Sequence, residues 1–327
     1  MLPYTLSALG DVDKTFALVR RHTSPDEFQT MIGAGTSFGD SLLAHPQLLV
    51  TQLPLYEDKL GYVVALRLLS PFLDPVNAMT AISLVSAIGI TTILFNLSRP
   101  LAGVATLSWL ALVKLFFLTS SAVTPDLVVT FIALLGFWAL LSRRCWLAAS
   151  LLVLGTIVRP DNVILGCTVG VVMLFQSRRA GITAIAGSIL AFAADGLLSH
   201  HFGWWGQFYY NFVSTTLDLG NFHPAFSLQQ YFAVLLRQTA ALLHANWPYA
   251  GLGIAILAAL LTSRSEDRLA SHLLWALVGT MALRFVAYPS TELRHYWPVM
   301  FGFAQIALHA AAHWLADPKP MKPLSAY

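Results

Sequence analysis

The charged side chains with no obvious duty in this chain stand at the edges of apolar runs, most of them near a proline. TPDL, residues 124–127, sets Asp126 behind Pro125, and VRPDNVIL, residues 158–165, brackets Pro160 with Arg159 and Asp161. YPSTELRHYWPVM, residues 288–300, gathers Glu292, Arg294, His295, Tyr296 and Trp297 ahead of Pro298. LGDVDKTFALVRR, residues 9–21, offers Asp11 and Asp13, and LPLYEDKLGYVVALRLL, residues 53–69, offers Glu57, Asp58 and Lys59. Arg67, Lys114 and Arg284 lie inside apolar runs. Placed together, such groups could move protons and hold an anion.

Each has a plainer duty to weigh. Thr124, Pro125 and Asp126 make a good helix start, as do SPDEF at residues 24–28, with Glu27 at the capping-box position, and DPVN at residues 74–77. Arg159 is harder to dismiss, because it follows an apolar helix at a boundary where topology does not ask for a cation. It calls for an anionic partner, or else snorkels to headgroups. Asp11 and Asp13, two apart, cannot share one helical face, so at most one points into a cleft. Cations buried in a membrane cost at least about 2.5–3.5 kcal/mol each on insertion scales. Lys114 and Arg284 should therefore face an acid, a wet cavity or a lipid phosphate. Interfacial belts account for Tyr296, Trp297 and the aromatic stretch HFGWWGQFYYNF at residues 201–212. His309 and His313 stand four apart, a metal-compatible spacing, but no third ligand is visible in the sequence, so no metal site is expected there.

The elements that must position these groups are apolar helices. Of 327 residues, 57% are hydrophobic and only 11% charged, against roughly 25% charged in a soluble domain. Spans are expected at about 76–97, 101–118, 126–142, 145–158, 162–176, 181–199, 247–263, 269–288 and 296–316. The run 60–73 is short for a span, since about 14 residues rise only about 21 Å, and reads either as a span or as an interfacial or re-entrant helix. The sequence thus predicts an all-α polytopic membrane protein of about nine to eleven transmembrane helices in a single domain. Residues 1–59 form an outer first loop with juxtamembrane helices, 60–199 an N-terminal bundle, 200–246 an outer loop, and 247–327 the C-terminal helices and tail. Cys145 and Cys167 fall at different depths, which predicts free thiols. A net charge of +3 without a basic, aromatic-interleaved stretch excludes nucleic acid as a partner.

Orientation follows from the basic connectors. Arg99, Arg143 with Arg144, Arg178 with Arg179, Arg264 with Arg268, and Lys319 with Lys322 occupy alternate connectors, which the positive-inside rule assigns to the cytoplasm. Of the 16 acidic residues, only Glu266, Asp267 and Asp317 fall on that side. The stub MLPYTLSAL is too short to span and lacks a basic signal-peptide region, so an outward 1–59 is expected to need an upstream span or to have lost one.

The order of an early outer acid, a PLY…K helix start, an outer TPDL turn, an outer RPDN turn and a late LRHYWP start resembles the integral-membrane GT-C glycosyltransferases. That superfamily includes protein O-mannosyltransferases and lipid A aminoarabinose transferases, and the likeness is greatest to its smaller bacterial RgtA/B/C/D-like branch. The resemblance runs along most of residues 10–300 on short motifs. It implies a GT-C-like bundle in the bacterial inner membrane, with a site facing the periplasm. There a sugar would pass from a polyprenyl-phosphate donor to a lipid, glycan or protein acceptor. It also implies roles for single residues. Asp11 or Asp13 would be the first-loop base, and Asp126 the second acid, orienting the acceptor or assisting a divalent cation. Lys59, Arg159 and Arg294, with Lys114 and Arg284, would hold the donor phosphate. Glu57, Asp161, His295 and Tyr296 would touch acceptor or sugar. The first acid here reads Asp-Val-Asp where an adjacent pair is often seen. The alternative is a lipid-linked-saccharide flippase or other transporter, in which ionisable groups would line a path reaching both faces.

Overall fold

The computed structural model describes residues 1–57, 59–98, 124–198, 202–216, 218–220, 222–245, 247–265 and 267–316. The expected span at 101–118 and Lys114 lie outside them. Among the described residues the chain is helical throughout, with no strand.

Five short helices come first: α1 (Leu2–Leu9), α2 (Val12–His22), α3 (Pro25–Ile32), α4 (Ser37–Ala44) and α5 (Leu48–Gln52). Their punctuation is chemical. Asp11 accepts from the Lys14 amide at the start of α2, and Ser24 and Glu27 close a full capping box on α3. Gly10 and Gly33 end α1 and α3 with φ of 68° and 72°, the left-handed conformation that lacks a steric penalty only for glycine. The next helix, α6 (Leu60–Leu69), ends four residues before the run 60–73 does. Tyr4, Val19, Phe28, Tyr62, Leu66 and Met79 knit these pieces into one apolar cluster against α7 (Pro75–Ser98). Asp74 starts α7 by accepting from the Val76 and Asn77 amides. Arg67 finds its partner within this unit, donating to the Ser7 carbonyl at 2.9 and 3.2 Å.

The main bundle follows as α8 (Pro125–Leu141), α9 (Cys145–Val158), α10 (Val163–Leu174) and α11 (Arg178–Leu198). After α12 (Gly203–Phe212) and α13 (Leu228–His244) it resumes with α14 (Trp247–Ser265), α15 (Arg268–Ala287) and α16 (Trp297–Ala316). Leu134, Phe137, Leu140, Leu152, Met173, Leu277, Phe303 and Ile306 fill a core shared by α8 to α10, α15 and α16. Gln305 reaches across it to donate to the Leu134 carbonyl at 3.1 Å. Helices α10 and α11 approach closely because small residues line the contact. A Cβ on Gly181 would lie 2.6 Å from the Leu174 backbone nitrogen.

Among the described residues four helices are long and apolar enough to cross a membrane, Pro75–Leu97, Arg178–Leu198, Arg268–Ala287 and Leu293–Ala316, and the pair α13 and α14, bent by 75°, would add a fifth if taken as one span. Helices α8, α9 and α10 are apolar but shorter. At 1.5 Å per residue, the 17 residues of α8 rise about 26 Å and the 14 of α9 about 21 Å. Of the nine expected spans, 101–118 lies outside the described residues, four match helices of full length, 247–263 is one half of the bent pair, and 126–142, 145–158 and 162–176 are the shorter apolar helices. Leu190, Leu197, Phe175 and Trp275 are exposed on the outside of the bundle, as lipid would favour and water would not. The segment 200–246, expected as a loop with a surface stretch, carries the 17-residue helix α13, which Ser227 caps through the Gln230 amide. Cys145 and Cys167 are both free thiols.

Candidate functional site

One end of the bundle opens into a cavity of about 540 Å³. Stretches from across the chain build its polar floor. The first turn of α8 supplies Asp126, the RPDN turn supplies Arg159 and Asp161, and the last turn of α15 supplies Arg284. The segment from Tyr288 to His295 adds Glu292, Arg294 and His295, and the start of α6 adds Lys59.

Arg159 is the hub. It stands in extended conformation at the C-cap of α9, where its carbonyl accepts from Asn162 Nδ2 at 3.2 Å and pins the 3-10 turn Pro160–Asn162. Its guanidinium pairs with Asp126, reaches Asp161 at 3.0 Å, and lies 2.6 Å from His295 Nδ1. Asp161 in turn pairs with Arg284. Asp126, Arg159, Asp161 and Arg284 therefore form an alternating chain of charge, in which Asp126 and Arg284 are only 4% exposed and Arg159 7%. Alternation answers the cost of burial, because a buried charge stripped of its partner is strongly destabilising. A guanidinium on Nδ1 leaves the His295 proton on Nε2, which faces Glu292 at 3.5 Å. Glu292 also pairs with Arg294 at 2.6 Å, and the His295 hydrogen bond above all holds its carboxyl down to about 2.

The TPDL turn shows why Asp126 is more than a helix start. Thr124 occupies the N-cap, but its hydroxyl makes no capping bond and has no hydrogen-bond partner among the described residues. Thr124 lines the cavity, and Asp126 turns its carboxylate to Arg159. The Ser24 and Asp74 turns, by contrast, spend their side chains on their own helices.

The structure brings Lys59, Asp126, Arg159, Asp161, Arg284, Arg294 and His295 together and leaves four other site candidates elsewhere. Asp11 and Asp13 do not line the cavity. Asp11 caps α2 and pairs with Lys14 at 3.3 Å, and its backbone bond to Lys14 draws its carboxyl below the usual range. Glu57 faces the Ser7 hydroxyl at 3.5 Å, and its neighbours Tyr56 and Lys59 line the cavity in its stead. Tyr296 is buried, donating to the Ser290 carbonyl at 3.0 Å and stacking on Trp247 with centroids 5.0 Å apart. Its duty is to hold the 288–296 segment in shape.

Of the lining groups that escaped sequence reasoning, three stand out. Asp195 is a buried carboxylate near the end of α11, and its place inside an apolar span was the signal available. Trp204 donates to the Ala287 carbonyl at 2.7 Å, so α12 folds over the cavity instead of lying apart from it. Tyr288, whose hydroxyl is pushed up by burial, contributes a ring tilted against His295 at 5.7 Å. Val163, Ile164, Phe192 and Trp204 give the cavity an apolar wall, and Phe192 and Trp204 remain exposed on the bundle surface.

Among the described lining residues four cations, Lys59, Arg159, Arg284 and Arg294, meet four carboxylates, Asp126, Asp161, Asp195 and Glu292. The cavity is close to neutral, so an anion entering it must compete for guanidinium bonds already made. The polar floor can bind an anion and orient hydroxyls, and the apolar wall can take a hydrocarbon. No protein-family model, curated protein or solved structure matches this chain.

Proposed function

We propose that the protein is a membrane glycosyltransferase of GT-C type that moves a sugar from a polyprenyl-phosphate donor to an envelope acceptor at this cavity. The observation that carries the reading is a mixed cavity. Guanidinium and ammonium groups converge beside an apolar wall that opens on the outside of the bundle, which is the pair of surfaces a phosphate on an isoprenoid tail requires.

Each helix that reaches the cavity does so at one end. Helix α8 runs from Asp126 toward Arg143 and Arg144, α9 returns to Arg159, and α10 leads away toward Arg178 and Arg179. Helix α11 returns to Asp195, and α15 climbs from Arg268 to Arg284. The basic connectors therefore sit at the far end. By the positive-inside rule this favours a bacterial inner-membrane protein with the cavity facing the periplasm. It also weighs against a transporter, whose ionisable groups would continue through the bilayer.

In the reaction, the acceptor hydroxyl oxygen forms a bond to the anomeric carbon as the bond from that carbon to the phosphate oxygen breaks. The electron pair leaves with the phosphate. Lys59 and Arg294, at the more open rim, and Arg159 and Arg284 below them stabilise the charge as it develops. The hydroxyl proton needs a carboxylate in the cavity. Asp126 is committed to Arg159 and Asp161 to Arg159 and Arg284, and Glu292 is too weak a base at about 2. Asp195, a buried carboxylate on the cavity lining, is our candidate for the base.

The test follows sugar transfer from a polyprenyl-phosphate-linked donor in membranes carrying the intact chain, with parallel vesicles scored for movement of the same lipid between leaflets. The reading expects transfer that falls at least about a hundredfold in Asp195→Asn and no facilitated movement. Lipid movement without transfer would overturn it.

A further inference from the structure

We propose that Asp267, His309 and His313 form a divalent transition-metal site that staples the start of α15 to the end of α16. It lies at the opposite end of the bundle from the cavity, because the 17 residues from Asp267 to Arg284 rise about 25 Å along α15.

The sequence shows two ligands and the fold brings the third. His309 and His313 are one turn apart on α16, so their imidazoles share a face, with ring centroids 4.5 Å apart. Asp267 is the N-cap of α15. Its Oδ1 accepts from the amides of Leu269 and Ala270 at 3.0 and 3.2 Å, which fixes the carboxylate plane. The second oxygen, Oδ2, is thereby aimed across the helix pair at His309 Nε2, 3.2 Å away. The three ligand atoms lie within 4.8 Å of one another.

These distances fit a metal. Four ligands about 2.0–2.1 Å from a tetrahedral zinc ion stand roughly 3.3 Å apart. The Asp267–His309 edge already has that length. The His313 ring is exposed and can close the remaining gap by a rotamer change. The cation at the end of α14 does not compete for the carboxylate at this point, since Arg264 lies over the Trp314 ring, 5.9 Å from its centroid. Two imidazoles and one carboxylate suit a borderline ion such as Zn²⁺ or Co²⁺, with water completing the shell on the exposed side.

A simple hydrogen bond between Asp267 and His309 would leave His313 without a part, and that difference supplies the test. The full chain, purified in detergent without a histidine tag and stripped with chelator, is titrated with Co²⁺, followed by visible absorption and then displaced by Zn²⁺. One equivalent should bind, and Zn²⁺ should raise the melting temperature. His309→Gln and His313→Gln should each weaken binding at least about tenfold. Asp267→Ser should do the same while keeping an N-cap residue on α15, so circular dichroism of the metal-free variant should match the parent. Binding that is unchanged in His313→Gln, or equal across all three variants and the parent, would overturn the site.

Discussion

Replacing Arg159 by methionine tests the alternating chain where it is most exposed to failure. The substitution keeps much of the side-chain volume but takes the cation from Asp126, which is 4% exposed, and from one side of Asp161. Breaking a buried pair by removing one partner costs about 3–5 kcal/mol. Asp126→Asn should cost less, about 1–3 kcal/mol, because Arg159 retains Asp161 and the asparagine can still accept from it. The double variant should be more stable than the sum of the two losses predicts, with a coupling of about 2 kcal/mol, since Asp161 still has Arg284. Equilibrium denaturation in mixed micelles, read by tryptophan fluorescence and circular dichroism, gives all four corners of the cycle. Losses that add to within about 0.5 kcal/mol, or a cost below about 1 kcal/mol for Arg159→Met, would refute the claim that these charges are held by mutual burial.

Further expectations are as direct. The double variant Asp11→Asn with Asp13→Asn should transfer sugar like the parent, and a loss at least as large as that of Asp195→Asn would return the base to the first loop. Gly181→Ala puts a methyl against the Leu174 backbone and should destabilise by about 1–3 kcal/mol in the same micelle assay, whereas Gly253→Ala, with open space at its Cβ, should not. Glu292 has its carboxyl depressed from 4.5 to about 2, so its stabilising share is present above about pH 4.5 and fades as pH falls toward 2. The difference in melting temperature between parent and Glu292→Gln should accordingly shrink between pH 6 and pH 3. It should also be small throughout, because the pair is half exposed.

What the sequence could tell depended on whether a feature was local. The boundaries of α7, α9, α15 and α16 fall within about two residues of the expected runs, because apolar length and capping chemistry are written along the chain. Ser24 and Asp74 cap as expected for the same reason. Arg159 was legible as a cation in need of an anion, since nothing nearby in sequence explained it. Its partner Asp126, some thirty residues away, was half explained by its own helix and so stayed ambiguous. Asp11 and Asp13 were ambiguous because an acid ahead of a helix looks the same whether it caps or reacts. Only the fold shows Asp11 accepting from the Lys14 amide, with neither acid among the residues that line the cavity. Asp195 and Trp204 were hidden by their surroundings, an apolar run and an aromatic belt, and the third ligand of the His309–His313 pair is contributed by another helix.

The bond between Arg284 and Asp161 bears on how the chain is made. Residues 268–287 emerge from the ribosome more than a hundred positions after Asp161, and, read as a solitary span, they would carry a guanidinium near one end into the hydrocarbon at up to the roughly 2.5–3.5 kcal/mol of a helix-centre arginine. The carboxylate waiting at the RPDN turn removes that handicap once the earlier helices are in place. Insertion of the C-terminal half is thus expected to depend on the N-terminal half. Supplied as two separate polypeptides, the later fragment should integrate poorly alone and be rescued by co-expression of the earlier one.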